Sequence, residues 1–486
     1  MKVLFATSEL APWVKTGGLG DVAAALPPAL QAAGVDIRVL VPAYPTLRAA
    51  FPDAVECARP HWLGGVLPTA SLLQATTAAG TQLLLLDYAP YYDRPGNPYL
   101  GADGRDWPDN ALRFGLLSRV AAWLGSTAST LDWRPDVVHC NDWQTALAPA
   151  YLYYQPGATA RTLVTVHNLA FQGLFGSATL PDLGLPDFSW HPEGVEYYGY
   201  LSFLKAGLRF ADAITTVSPT YAREIQTEAE GMGLDGLLRH RRDVLSGILN
   251  GIDTAAWDPA ADAALVKPFK RFDAARLAAK AANKAALQRQ SGLEERDDMP
   301  LFAIVSRLTQ QKGLDLVAAV AADLLDLPAQ LIVLGNGDSA LEASFRVLAQ
   351  IDRGRCAVQI GFDEAQAHRI EAGADIFLMP SRFEPCGLNQ MYSLRYGTPP
   401  LVRATGGLAD TVIDAADAVA GNGFVFVEPD APALLAALRR AADTWRDKKR
   451  WRQLQKNGMA GDYSWAAPAQ RYSACYTSLC AALRPL

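Results

Sequence analysis

Short runs of apolar residues alternate along the chain with longer segments in which apolar side chains recur every three or four positions. The short runs are typical of buried strands and the longer segments of helices, so their alternation predicts parallel sheets built from β-α-β units. In the segment 110–123, for example, Leu112, Leu116, Val120 and Trp123 share one helical face. The predicted strands are 3–6, 37–41, 83–86, 137–140, 163–166, 214–217, 301–305, 331–334, 358–360, 376–379 and 401–402.

The strand series restarts after a gap, which predicts an α/β protein with two doubly wound, Rossmann-like domains. A turn signal at 250–253 (NGID) precedes a polar stretch rich in Ala and Lys that runs to about residue 296. We therefore expect one domain over residues 1–248 and a second over 249–465. The tail from Ala466 is helical in pattern, contains no further strand, and could pack on either domain.

One short motif occurs in both halves. The segment 16–21 (TGGLGD) closely matches 405–410 (TGGLAD), and each copy follows a predicted strand and precedes a predicted helix. Ligands of parallel sheets bind at the carboxyl ends of strands, so the two copies suggest one ligand held between two facing domains. The alternative is that paired glycines are simply good turn formers.

The first copy matches neither the dinucleotide fingerprint nor the P-loop, because it lacks both Gly-x-Gly-x-x-Gly and Gly-Lys-Ser/Thr. Its glycines allow the backbone to approach phosphate or sugar oxygens closely. Asp21 is expected to cap a helix that begins at Val22. Lys15 would add positive charge beside an anion, although alone it would be interpreted as a solvated lysine.

Two cations follow the strand 301–305. Arg307 and Lys312 precede a helix predicted to begin near Leu314. Positive side chains at a strand's carboxyl end, beside a helix N-terminus, predict a clamp for a diphosphate. Two unrelated surface charges are the weaker interpretation.

A further loop follows the strand 376–379. Pro385 suits the first position of a helix, so Glu384 is expected at the cap, with the amides of Cys386, Gly387 and Leu388 facing the same strand ends. A carboxylate there could accept hydrogen bonds from sugar hydroxyls. The sequence pattern provides no group to activate Cys386, which favours a small cleft-lining or buried thiol over a nucleophile.

Two histidines, His139 and His167, stand where apolar strands end. Isolated histidines are usually structural, but this position favours function for both and more strongly for His167. The sequence contains no His-Glu-x-x-His, Cys-x-x-Cys or Asp-x-Asp pattern, so no bound metal is expected.

Composition narrows the class of partner. The 486 residues are 50% hydrophobic and 19% charged, and 44 Lys and Arg against 50 Asp and Glu give a net charge of −6. This balance disfavours nucleic acid and anionic membranes as partners. The sequence contains no apolar run of membrane-spanning length. Six cysteines, mostly far apart, indicate reduced thiols and a cytoplasmic protein.

Taken together, these motifs resemble those of the bacterial glycogen synthases and plant starch synthases that use ADP-glucose. Several agree in order and number, from the first strand nearly to the end. The lack of a transit-peptide pattern favours the bacterial branch. The matching segments are 5–9 (FATSE), 15–22 (KTGGLGDV), 139–143 (HCNDW), 166–168 (VHN), 250–253 (NGID), 306–313 (SRLTQQKG), 381–387 (SRFEPCG), 405–408 (TGGL) and 462–465 (DYSW).

The resemblance implies a glycosyltransferase fold of the GT-B type, with two Rossmann-like domains facing across a cleft. It implies retention of the anomeric configuration without metal or other cofactor. ADP-glucose would bind mainly to the second domain and an α-1,4-glucan such as glycogen to the first. The last helix, 466–486, would pack back on the first domain.

The resemblance also implies roles for individual residues. Arg307 and Lys312 would bind the diphosphate, Glu384 the glucose hydroxyls and Phe362 the adenine. The implied catalytic residues are Lys15, His167, Arg307, Lys312 and Glu384. The implied substrate-binding residues are Lys15, Gly18, Asp21, Asp142, Asn250, Phe362, Cys386, Gly387, Leu388, Thr405, Gly406 and Gly407.

One position departs from the pattern of related retaining transferases, which carry a second Glu eight residues after the first; here it is Tyr392. Because no better nucleophile is evident, we expect transfer on the face of the leaving group. The nearest alternative is a retaining transferase that uses another nucleotide sugar, such as UDP-glucose. An NAD-dependent oxidoreductase lacks its glycine fingerprint here. A non-catalytic glucan-binding protein and a pyridoxal-phosphate-dependent phosphorylase are further alternatives.

Overall fold

The computed structural model describes residues 1–62 and 66–481. The chain divides into two compact units, unit 1 (Met1–Gly251 with Trp465–Leu486) and unit 2 (Ile252–Ser464). Each unit has its own parallel sheet and its own hydrophobic core. The predicted class, α/β with two doubly wound Rossmann-like domains, is confirmed. Residues 482–486 of the predicted last helix lie outside the described residues.

Unit 1 contains one large sheet and one small sheet. Its strands are β1 (Lys2–Ala6), β2 (Asp36–Pro42), β3 (Val55–Ala58), β4 (Ser71–Thr76), β5 (Gln82–Asp87), β6 (Val137–Asn141), β7 (Arg161–Val166), β8 (Leu174–Gly176), β9 (Glu196–Tyr197), β10 (Tyr200–Ser202), β11 (Ala213–Thr216) and β12 (Leu245–Gly247). The large sheet has the order β12-β11-β7-β6-β1-β2-β5-β4-β3, and β8-β10-β9 form a small antiparallel sheet.

The large sheet is parallel from β12 to β5, and β4 and β3 add an antiparallel edge. Strand β1 is apolar and fully buried from Val3 to Ala6, as expected for a central strand with both faces covered. From β1 the chain builds the sheet first toward β2 and later toward β6. The strand order therefore reverses between β1 and β6, and this is where doubly wound sheets bind ligands.

Several of the helices of unit 1 that precede unit 2 contact this sheet, among them α1 (Gly18–Ala32), α4 (Asn110–Leu124) and α7 (Pro219–Glu224). Helix α4, predicted over 110–123, is buried along almost its whole length. The helices are α1 (Gly18–Ala32), α2 (Pro45–Ala50), α3 (Ala89–Tyr92), α4 (Asn110–Leu124), α5 (Ala148–Tyr154), α6 (Phe203–Phe210), α7 (Pro219–Glu224) and α8 (Asp235–His240).

Unit 2 contains a six-stranded sheet that is parallel throughout, in the order β15-β14-β13-β16-β17-β18. Here the strand order reverses between β13 and β16. The strands are β13 (Leu301–Val305), β14 (Gln330–Gly335), β15 (Cys356–Ile360), β16 (Ile376–Met379), β17 (Pro400–Arg403) and β18 (Phe424–Phe426). The helices are α9 (Ala279–Gln290), α10 (Leu314–Asp326), α11 (Ser339–Ile351), α12 (Glu364–Gly373), α13 (Asn389–Arg395), α14 (Gly406–Thr411), α15 (Ala431–Arg446) and α16 (Lys448–Met459).

The last helix, α17 (Ala466–Ala481), belongs to unit 1, where it packs against α1 and β6. The Tyr476 hydroxyl lies 2.8 Å from Nδ1 of His139, and both side chains are fully buried. A hydrogen bond between β6 and α17 thus fastens the end of the chain to the sheet. Within the described residues, no helix combines the length and apolar character needed to cross a membrane.

Candidate functional site

In unit 2, the point of strand reversal brings two predicted loops together. Strand β13 ends at Val305 and its neighbour β16 at Met379, so the loops 306–313 and 380–388 leave the same edge of the sheet. Nδ2 of Asn389, the first residue of α13, donates to the Val305 carbonyl at 2.7 Å. This bond fixes the end of the second loop to the start of the first.

An ion pair links the two loops. Lys312 Nζ donates to Glu384 Oε1 at 2.8 Å and to Oε2 at 2.6 Å. The Lys312 and Glu384 side chains are only 18% and 7% exposed. The buried Ser381 hydroxyl also donates to Oε2, at 2.8 Å. Two of the five implied catalytic residues therefore form one charge-balanced pair.

Glu384 and Pro385 do not begin a helix, contrary to the expectation from sequence. Helix α13 begins at Asn389, with Leu388 at its N-cap and no side chain bonded to the cap. The Glu384 carboxylate is bonded to Lys312 and Ser381 instead. Gly387 has a left-handed φ of +69°, which turns the chain before the helix can start.

The second TGGL motif packs directly on this loop. A Cβ on Gly406 would lie 1.9 Å from the Glu384 carbonyl oxygen, and one on Gly407 would lie 2.1 Å from that of Cys386. The Gly407 amide donates to the Glu384 and Pro385 carbonyls, both at 3.2 Å. The two glycines are therefore required for close contact between backbones.

Other implied residues of unit 2 differ in their surroundings. The side chain of Arg307 is exposed and makes no hydrogen bond or ion pair within the part of the chain that the structure describes. Phe362 follows β15 and is 71% exposed. Cys386 is buried, and the Thr405 amide donates to the Arg403 carbonyl at 2.9 Å. Arg307 and Phe362 are thus the accessible members of this group.

In unit 1, the first TGGL motif lies where the strand order reverses, after β1. Helix α1 begins at Gly18, with Gly17 at its N-cap. Asp21 therefore lies in the first turn, and the expectation that it caps a helix starting at Val22 is wrong. Lys15 Nζ lies 2.7 Å from Asp21 Oδ1. A carboxylate in a first helical turn is favoured by the helix dipole, and here it also pairs with the loop lysine.

A buried glutamate that sequence reasoning left without a role holds this loop in place. Glu9 is 3% exposed. Its carboxylate accepts hydrogen bonds from the Thr16 amide at 2.7 Å, the Thr16 hydroxyl at 2.5 Å and the Tyr99 hydroxyl at 2.7 Å. The position of Glu9 soon after β1 was a signal in the sequence that could have indicated this role. Tyr99 is 90 residues distant in sequence, and no local pattern indicated it.

Asp142 follows β6 in a strained conformation. Its φ is +56°, which is uncommon for a residue with a side chain. Its Oδ1 accepts the amide of His167 at 2.7 Å and that of Asn168 at 3.4 Å. Burial raises the pKa of Asp142 to about 7, and the nearby charge of Glu9 also raises it, whereas the two amides oppose the rise. Such strain is characteristic of functional sites.

His167 follows β7 and is held in one tautomer. Asn141 Nδ2 donates to the Ala6 carbonyl at 3.0 Å, so its Oδ1 faces His167 Nε2 at 2.9 Å and accepts its proton. Burial lowers the pKa of His167 to about 3, so the ring is neutral near pH 7. Nδ1 is then an acceptor, and it has no hydrogen-bond partner among the described residues.

His139 and Asn250 have different environments. His139 bonds Tyr476 through Nδ1 and Thr165 through Nε2, at 2.8 and 2.6 Å, so both ring nitrogens have structural partners. Asn250 is buried, yet its Oδ1 has no hydrogen-bond partner in the described structure. Within residues 1–62 and 66–481, no cluster of three or more His, Cys, Asp or Glu side chains is arranged to hold a metal ion.

Comparison with protein families matches both halves of the chain. Residues 2–240 match the starch synthase catalytic domain, and residues 287–458 match the glycosyl transferases group 1. A protein of Dechloromonas aromatica named glycogen synthase is 61% identical over 481 residues, which cover 98% of each chain. One of Nitrosomonas europaea with the same name is 53% identical and covers 98% of this chain and 97% of its own.

Solved structures give the same result. The catalytic domain of starch synthase IV from Arabidopsis thaliana, bound to ADP and acarbose, superposes with a TM-score of 0.85 at 32% identity and covers 99% of both chains. A sucrose-phosphate synthase from Thermosynechococcus elongatus, at 19% identity and a TM-score of 0.60, shares the fold. The full-length identity to named relatives shows that this chain belongs to the glycogen synthase family of glycosyltransferases.

Proposed function

We propose that this protein transfers glucose from ADP-glucose to the non-reducing end of an α-1,4-glucan, with retention of the anomeric configuration and release of ADP. The relatives named glycogen synthase support the reaction, and the starch synthase IV structure, which holds ADP and acarbose, supports both substrate classes. Within the molecule, the proposal depends chiefly on the Lys312–Glu384 pair at the strand reversal of unit 2.

Unit 2 would bind the donor. Cleavage of the bond between glucose and diphosphate leaves negative charge on the diphosphate and positive charge on the sugar. Lys312 and the exposed Arg307 supply positive charge to the diphosphate, while Glu384 accepts hydrogen bonds from glucose hydroxyls. Loss of one such preorganised group typically reduces the rate by roughly 10²–10³.

Unit 1 would act on the sugar and the acceptor. The neutral His167 offers Nδ1 as an acceptor for a sugar hydroxyl. Asp142 holds the His167 amide and so positions this ring. Asn250 Oδ1, which has no partner among the described residues, and the ammonium of Lys15 are further polar contacts for a carbohydrate or its phosphate.

Transfer on the face of the leaving group fits these residues. The acceptor hydroxyl oxygen forms a bond to the anomeric carbon as the bond to the diphosphate oxygen breaks. The acceptor proton passes to that diphosphate oxygen, and ADP departs. Glu384 is engaged by Lys312 and Ser381, which suits binding better than nucleophilic attack. Tyr392 stacks on Trp257 at 3.8 Å, so this position offers an aromatic ring where related transferases carry a second carboxylate.

The decisive experiment measures transfer of labelled glucose to glycogen from ADP-glucose and, in parallel, from UDP-glucose. We expect kcat/KM to be at least tenfold higher with ADP-glucose than with UDP-glucose. A hydrolase specific for α-1,4 links should then release the labelled glucose from the glycogen product. Equal use of both donors, or a preference for UDP-glucose, contradicts the donor assignment. Absence of transfer from either donor contradicts the proposed reaction.

All six cysteines are free thiols. Free thiols are typical of the reducing cytoplasm, and we propose that the reaction takes place there.

A further inference from the structure

Four aromatic rings meet on the surface of unit 1, and we call them the aromatic platform: Tyr153, Tyr154, Phe188 and Phe210. The Phe210 ring lies 4.7 Å from Tyr153 and 5.1 Å from Tyr154, and Phe188 lies 5.6 Å from Tyr154. Tyr153 is 68% exposed and Phe188 is 75% exposed. Tyr154 and Phe210 pack against the hydrophobic core, so the two exposed rings contact side chains that are themselves held in place.

The platform lies away from the candidate site of its own unit. Helix α5 leads from β6 into β7, and α6 leads into β11, so both helices end where those strands begin. Arg161 and Asp212, paired at 3.0 Å, mark this edge of the sheet. Asp142 and His167 follow the opposite, carboxyl ends of the strands. The residues of unit 1 that we assign to glucose transfer therefore lie at the opposite end of the sheet from the platform.

We infer that the aromatic platform binds an α-glucan chain at a second site, an inference that rests on the proposed function for its choice of ligand. The two faces of a glucose ring are lined by C–H groups, and they fit against an aromatic face, while its hydroxyls project outward. The phenol hydroxyls of Tyr153 and Tyr154 have no hydrogen-bond partner among the described residues and are placed to meet such hydroxyls. Arg209 and Glu193, 3.4 Å apart beside Phe210, add polar groups at the rim.

The size of the platform favours a sugar over a second protein. Complete burial of an aromatic side chain removes roughly 150–250 Å² from water, so two side chains that are 68% and 75% exposed supply about 200–350 Å². A stable protein interface needs about 800 Å² from each partner. The rings also hold each other in place, so binding immobilises few side chains. A long glucan held here and at its reacting end gains from effective concentration, whereas a short oligosaccharide does not.

The test is the double variant Tyr153→Ala/Phe188→Ala, measured by affinity electrophoresis in native gels that contain glycogen. We expect its affinity for glycogen to fall at least fivefold and its KM for glycogen to rise. Its kcat and KM with maltotriose as acceptor should stay within twofold of the wild type. Val55→Ala, which removes an apolar side chain of unit 1 that is 68% exposed, is the matched control and should bind glycogen normally.

Unchanged retardation of a folded double variant overturns the inference. The inference is also overturned if the double variant binds glycogen normally but no longer self-associates in sedimentation velocity. That result would show that the platform joins two copies of the chain. If the double variant has a lower melting temperature than the wild type, the single variant Phe188→Ala provides the same test, with a smaller expected loss of affinity for glycogen. A wild type that binds glycogen through the platform but transfers no glucose would refute the proposed function and leave this inference standing.

Discussion

Lys312 contacts both carboxylate oxygens of Glu384, and this one ion pair joins the loop after β13 to the loop after β16. The two residues are 72 positions apart in the chain. A donor that binds here meets opposite charges already held in register, so the protein does not have to reorganise as charge develops. If the proposed function is correct, this ion pair therefore contributes both to folding stability and to glucose transfer.

Removing the lysine should affect both properties. Lys312→Ala leaves a largely buried carboxylate without its partner, which costs about 3 kcal/mol of folding stability. We expect kcat to fall at least a hundredfold and the melting temperature to fall measurably. Glucose transfer assays and calorimetry check these two effects.

The double variant Lys312→Ala/Glu384→Gln separates the two effects. It removes the unpaired charge, so most of the lost stability should return while activity stays low. Recovery of activity in the double variant would show that Lys312 serves only to neutralise Glu384.

Arg307 should contribute to activity alone. It is exposed and makes no ion pair in the described part of the chain, so Arg307→Ala should change the free energy of unfolding by less than about 0.5 kcal/mol. We expect transfer to fall at least a hundredfold, because the proposed function assigns the charge of Arg307 to the diphosphate. Arg353→Ala removes another exposed arginine of unit 2 and should leave transfer unchanged. Similar activity in both variants would contradict the diphosphate clamp.

The two TGGL motifs should respond differently to an added methyl group. At Gly406, Cβ would meet the Glu384 carbonyl oxygen at 1.9 Å, whereas at Gly17 it would meet no atom of the described residues within 4 Å. Gly406→Ala should therefore lower the melting temperature by several degrees, and Gly17→Ala should leave it within about one degree of the wild type. Thermal denaturation of both variants checks the contrast, and equal destabilisation would contradict the described packing.

Asp142 should make stability depend on pH. Its pKa is raised to about 7 in the folded protein, against roughly 3.9 in an unfolded chain. Between these values the folded protein retains a proton that the unfolded chain has released, so this group lowers stability as pH rises and contributes a constant penalty above pH 7. Asp142→Asn keeps an oxygen for the His167 amide and removes the penalty.

We expect the melting temperature of Asp142→Asn, relative to the wild type, to increase between pH 5 and pH 8. The exposed Asp53→Asn serves as the control, and its difference from the wild type should not change in this way. A difference for Asp142→Asn that stays flat or decreases with pH would show that burial does not raise the pKa of Asp142.

Much of the fold could be predicted from the sequence, because its central strands are short apolar runs, and such runs are readily identified as buried strands. All eleven predicted strands coincide with observed strands to within two residues at either end. The strands that were missed are the edge hairpin β3–β4, the small sheet β8–β10–β9, and β12 and β18. These are short or half exposed, and their pairing depends on partners distant in the chain.

The location of the candidate site was more predictable than its local contacts. Strand ends can be located from sequence, and they put Lys312 and Glu384 at one edge of a sheet. The helix caps assigned to Asp21 and Glu384 were wrong, because both carboxylates pair with lysines instead. The partner of Asp21 was six residues away, but that of Glu384 was not local. Tyr99, which bonds Glu9, could be found only in the folded structure.

The hydrogen bond between Tyr476 and His139 has a consequence for biosynthesis. Ribosomes deliver residues in order, so α17, which covers β6 of unit 1, emerges only after the whole of unit 2. Unit 2 can therefore fold while nascent unit 1 still exposes the sheet surface that α17 will cover. Until translation reaches Tyr476, the first half of the protein keeps this surface exposed, and transiently exposed apolar surface favours aggregation.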